Sequence, residues 1–109
     1  MYKVIIAEPA EKDMQSAVSY IADTLGNKIA AANLYDKAYK ELSSLSDFPE
    51  RNPFVRHKSL ASKGVRIQRI NNYLAFYVID SETQTVLILR VIHSRRDWVS
   101  ILKNDFNIH

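Results

Sequence analysis

The stretch "VRIQRINNYLAFYVIDSETQTVLILRVIH", Val65–His93, decides the fold of this chain. Val65 and Ile67 alternate with Arg66 and Gln68, the period of two that marks a half-buried strand. Arg69 falls on the apolar parity, which predicts a bulge or the strand's end there. Asn71-Asn72 suits a two-residue turn, because Asn tolerates positive φ. "YLAFYVID" (Tyr73–Asp80) is then a second strand, "SETQ" a turn, and "TVLILRVIH" (Thr85–His93) a third. That last strand is apolar on both parities (Val86, Ile88, Ile92 and Leu87, Leu89, Val91), so both its faces are expected to be covered. Arg90 interrupts one parity and leaves a partner or the C-terminal segment as the cover there.

Upstream, "YKVIIA" (Tyr2–Ala7) reads as an N-terminal strand. Pro9 fits the first position of a helix, where a missing N–H does no harm. Ala10, Met14, Ala17, Val18, Ile21 and Leu25 recur at helical spacing, predicting a helix over residues 9–25 that Gly26 stops. Asn27 can cap a second helix carrying Ala31, Leu34, Tyr35, Ala38, Leu42 and Leu45 on one face and ending before Pro49. The tight Gly-Asn joint predicts an antiparallel helical hairpin. "PERNPFVRHKSLASK", Pro49–Lys63, reads as a long loop. The fold class is therefore α+β: an N-terminal strand, a helical hairpin, a three-stranded antiparallel meander and a short C-terminal helix.

At 109 residues and 47% apolar composition the chain has the size of one domain, residues 1–109, with a real core. It has no cysteine, which removes disulfides and thiolate metal sites; no metal or cofactor is expected. The opening "MYKVIIAEP" is too short an apolar run for a signal peptide, and nothing approaches the roughly 18 apolar residues of a membrane span. A cytoplasmic protein without a membrane partner is the expectation. Charge is unevenly shared: residues 1–50 hold five Lys/Arg against eight Asp/Glu, and residues 51–109 hold ten against four. The cationic half fits a polyanionic or acidic partner, although a charge-balanced surface with none is also compatible.

"ILRVIHSRRDW", Ile88–Trp98, ends its strand in a cluster of cations. Ser94-x-x-Asp97 has capping-box spacing and predicts a helix from Arg95, with Trp98, Ile101, Leu102 and Phe106 on its inner face. Arg95 and Arg96 would then oppose the helix dipole, a local conflict that points to function. Backbone N–H groups, the two guanidiniums and His93 would make an anion site, which Lys58, Arg66 and Arg69 join if the strands bring them near. The bland alternative leaves the arginines solvated or paired with Asp97. Tyr73 and Tyr77 read as strand aromatics.

"RINNYLAFY" (Arg69–Tyr77) followed by "ILRVIHSRRDW", in the β-α-α-β-β-β order, resembles the RelE/ParE superfamily of bacterial type II toxins over almost the whole chain. The resemblance implies a cognate antitoxin in a hetero-oligomeric complex and one of two mechanisms. Ribonuclease members cut mRNA on the ribosome, and Arg66, His93 and Arg95 are the residues here that match such a catalytic set. Those members commonly place an arginine after the strand tyrosine, where this chain has Leu74. ParE-type members instead poison DNA gyrase by binding, and Leu74 with "VIHSRRDW" is more similar to that branch. Lys58, Arg66, Arg69, His93, Arg95, Arg96 and Trp98 would then contact the target without catalysis. An inactive or repurposed scaffold is the remaining reading.

Overall fold

The computed structural model describes residues 1–108, leaving His109 outside the described residues. Strand β1 (Lys3–Ile6) leads into helix α1 (Glu8–Ser19), which begins with Pro9 in its first turn and Glu8 and Glu11 at its positive end. The expected helix to residue 25 divides: its last turn, Tyr20–Thr24, widens to a π-helix before Gly26 turns the chain at φ +65°. Asn27 caps α2 (Lys28–Ser43) by accepting the Ala30 N–H at 3.0 Å. A 3-10 turn, Ser44–Ser46, then buries Leu45.

The stretch expected to be loop, Pro49–Lys63, contains a 3-10 turn at Pro49–Arg51 and a short helix, α3 (Lys58–Ser62). Both are shorter than the window in which a helical repeat declares itself. β2 (Arg66–Ile70), β3 (Tyr73–Asp80) and β4 (Thr85–His93) form the meander, and Asn71 takes the expected positive φ, 54°. Arg69 does not break β2, whose pairing runs without interruption from Arg66 opposite Tyr77 to Ile70 opposite Tyr73. The exposed Arg69 stays in register because its position lies near the sheet edge, where a guanidinium reaches water.

The irregularity lies in the β3–β4 ladder instead: Phe76 faces Arg90, Tyr77 faces Ile88, and Leu89 is the extra residue. The sheet order is β1-β4-β3-β2, with β1 parallel to β4. Beyond the bulge β4 has no β1 neighbour. There the Asp13 carboxylate of α1 accepts the Val91 N–H at 3.0 Å and grips Arg90 at 2.7 and 2.9 Å.

Both faces of β4 are covered, as its double apolar parity requires. Met14, Leu34, Ala38 and Leu42 of the hairpin pack with Ala75, Tyr77, Ile88 and Val91 on one side. Leu60 of α3 and Leu102 of α4 (Trp98–Asp105) pack with Leu74, Phe76 and Ile92 on the other, so the chain's own C-terminal segment supplies the second cover. No helix of the described residues is long and apolar enough to cross a membrane.

Tyr77 is fully buried, and its hydroxyl donates to the Pro49 carbonyl at 2.6 Å while accepting from Asn52 Nδ2 at 3.2 Å. Burial pushes this phenol above its usual pKa. Its neutral form is therefore favoured in the folded state. Stability from it is full below pH ~10, where the unfolded phenol begins to ionise, and is lost as pH rises toward the folded value. Tyr77→Phe is expected to cost about 1 kcal/mol at neutral pH through the orphaned carbonyl. It should also flatten the alkaline decline, both readable from denaturant midpoints across pH.

Candidate functional site

The bulge at Leu89 aims the end of β4: after it, Val91 and His93 face α1 rather than α4. His93 lies opposite Tyr73, their rings edge to face with centroids 5.2 Å apart. The turn after His93 is built by backbone bonds: Ser94 N–H donates to Asn72 O at 2.8 Å and Arg96 N–H to His93 O at 3.0 Å. Arg95 N–H donates to His93 Nδ1 at 3.1 Å, which leaves Nε2 as the donor of the neutral ring.

The expected helix start at Arg95 is displaced. Asp97 is the N-cap, accepting from Ser100 N at 3.2 Å and Ser100 Oγ at 2.7 Å, and α4 begins at Trp98. Ser94 does not cap a helix, because Trp98 N–H, which would return to the Ser94 carbonyl in a helix starting at Arg95, donates to Arg96 O at 2.9 Å. Those bonds from Ser100 hold the Asp97 carboxyl below its usual pKa. Arg95 and Arg96 therefore precede the N-cap and lie outside the first turn of α4, where the dipole opposes cations most. Both side chains are exposed, and neither forms a salt bridge among the described residues, with Asp97 turned instead to Ser100.

Arg96 and His93 share a groove of about 430 Å³ with Asp13 and Ser16 of α1, with Tyr20 of the π-helical turn that follows it, and with Tyr73. Burial, and then the neighbouring Tyr20, hold the Tyr73 phenol above its usual value, so it is a neutral hydrogen-bonding group at physiological pH. The α1 side of this groove was absent from the sequence reading. Its signal was available: Asp13, Ser16 and Tyr20 repeat at helical spacing beside the apolar stripe.

The other expected site residues disperse. Arg69 lies at the same end of the sheet, by the Asn71-Asn72 turn, but shares a face with Ile67 rather than with His93, and donates to Asn71 O at 3.3 Å. Arg66 is at the far end of β2. Four residues of strand at about 3.3 Å and two interstrand spacings of about 4.8 Å separate its backbone from that of His93 by roughly 16 Å. Its Nη1 donates to Glu50 O at 3.2 Å and Asn52 O at 2.6 Å, and its guanidinium stacks 4.0 Å over the Phe54 ring. Lys58 is exposed on α3, and Trp98 packs on Phe76 with ring centroids 5.1 Å apart. One pocket holding all these cations does not form, because strands β2 and β4 stand on opposite sides of β3. Among the described residues no three His, Asp or Glu side chains gather as a metal site.

Comparison with known proteins agrees with this architecture. A chain of the chromosomal ParDE TA system from P. aeruginosa superposes with a TM-score of 0.69 at 14% identity, over 85% of this chain and 96% of that one. A chain of the toxin–antitoxin complex RelBE2 from Mycobacterium tuberculosis superposes with a TM-score of 0.55 at 25% identity, over 84% and 96%. No curated protein matches the chain. The family model described as the ParE toxin of the type II toxin–antitoxin system, parDE, matches residues 4–98. With the match running from β1 to the first residue of α4, this chain belongs to the ParE toxin family of type II toxin–antitoxin systems.

Proposed function

We propose that this chain, acting as one domain in the cytoplasm, poisons DNA gyrase by binding it and is held inactive by a cognate antitoxin. The separation of Arg66 from His93 and Arg95 carries this reading. Cutting RNA through its 2′-hydroxyl needs a base, an acid and cations around a single phosphate. The groups matching such a set stand apart, and Arg66 is spent on two backbone carbonyls. A binding mechanism asks only for an exposed surface. Arg95 and Arg96 supply one, and among the described residues no carboxylate forms a salt bridge to either.

An antitoxin is supported by the two structural neighbours, whose descriptions name a ParDE system and a RelBE2 complex. The groove beside β4 joins the aromatic rings of Tyr20 and Tyr73 to the imidazole of His93 and the guanidinium of Arg96. That combination suits a segment bearing both apolar and acidic side chains, in a hetero-oligomeric complex. Expression without the antitoxin tests the mechanism. The expected outcome is double-strand breaks and a DNA-damage response before translation falls. Early arrest of translation with codon-phased mRNA ends would contradict it.

A further inference from the structure

Residues 51–69 carry six Lys/Arg and no Asp or Glu. None of the six forms a salt bridge among the described residues. Within this acid-free stretch Phe54 is 49% exposed, although its backbone bridges to Arg66 at the edge of β2. One face of its ring is occupied by the Arg66 guanidinium at 4.0 Å. On the α4 side of the sheet a groove of about 290 Å³ runs between Phe54 and Trp98, floored by Val55 and Ile67 with Arg56 at its rim. Trp98 is itself fixed by its packing against Phe76.

A half-exposed aromatic ring stacked on a guanidinium is already polarised and preorganised, so a second flat group can dock without reordering it. Arg56 at the groove and the other cations of the acid-free stretch, in no salt bridge among the described residues, supply attraction to anions spaced along a chain. Flat rings carried on a polyanion are the chemistry of single-stranded nucleic acid, whose bases stack on aromatic side chains while its phosphates meet Lys and Arg. A peptide bearing acidic side chains alone would satisfy the cations but leave the ring and the groove floor without a flat partner. We infer that the Phe54–Trp98 groove is a stacking shelf for a base of single-stranded nucleic acid, with Arg56 and its neighbours on the backbone phosphates. This shelf is distinct from the His93–Arg96 groove and does not depend on which enzyme the toxin attacks.

Trp98 is the chain's single tryptophan and lines the shelf, so its emission reports occupancy. Titrating the purified full chain with a short oligothymidylate should quench Trp98. Phe54→Ala and Phe54→Leu should each weaken binding roughly tenfold or more with the circular dichroism spectrum unchanged. Arg56→Ala should reduce the slope of log affinity against log salt by roughly 0.7. Heparin, a polyanion without bases, and polyglutamate should bind more weakly and leave Trp98 emission unquenched. Binding of oligothymidylate that ignores both Phe54 substitutions would overturn the shelf. So would heparin or polyglutamate matching the oligonucleotide in affinity and quenching.

Discussion

Replacing both Arg95 and Arg96 with alanine should abolish toxicity and leave the fold intact. Both guanidiniums stand in the turn between β4 and α4, exposed and in no salt bridge among the described residues. Neither side chain makes a hydrogen bond within the described chain that folding would miss; only backbone groups are used, the two N–H donors and the Arg96 carbonyl that accepts from Trp98 N–H at 2.9 Å, and alanine keeps those. Surface changes of this kind stay within about 0.5 kcal/mol of the parent stability. At an interface the balance differs, because arginines are frequent hot spots and losing one from a desolvated charge pair costs roughly 2–5 kcal/mol. Two such losses should weaken the target complex by about a thousandfold or more, enough to lift growth arrest. Growth after induction, set beside the urea midpoint of the purified variant, checks both halves. Undiminished toxicity would remove the arginine turn from the mechanism.

Asp13→Ala carries the largest expected cost in stability, about 3 kcal/mol. Its carboxylate takes two bonds from Arg90 and one from the Val91 N–H, closing the edge of β4 that β1 leaves open beyond the bulge. The Asp13 and Arg90 side chains are only 13% and 17% exposed. Alanine would strand a mostly buried guanidinium with Asp105 alone, at 3.2 Å, on a carboxylate that is 37% exposed. Residual solvent access keeps the cost at the lower end of the range of about 3–5 kcal/mol for severed buried pairs. Against a total stability of about 5–15 kcal/mol the loss is large. Pairing Asp13→Leu with Arg90→Met should recover most of it, since apolar replacements remove the stranded charge along with its partner. A denaturant midpoint for Asp13→Ala close to that of the parent would show that the edge is held by packing alone.

The meander was legible in the sequence because its signal is local. Tyr73–Asp80 and Thr85–His93 emerge with their bounds as read, delimited by Asn71-Asn72 and by "SETQ". The bulge was not legible, since β4 is apolar on both parities and a change of face leaves no mark in such a run. Two acceptors, Ser94 and Asp97, competed to cap α4. The chain turns tightly after His93 and sends Trp98 N–H to the Arg96 carbonyl rather than back to Ser94, which leaves Asp97 as the cap and follows no local rule. His93 and Arg96 were read as neighbours and share a groove; its other wall comes from α1, and only the placement of α1 against β4 brings Asp13 and Tyr20 to it. Arg66 was expected to be able to join them, and the strand order is what separates it.

Incubating purified gyrase and supercoiled DNA with this protein tests gyrase poisoning most directly. The predicted result is linear DNA covalently held by gyrase with the wild-type chain and none with the Arg95→Ala, Arg96→Ala variant. Gyrase that turns over normally, beside ribosome-bound mRNA cut by the same preparation, would contradict it.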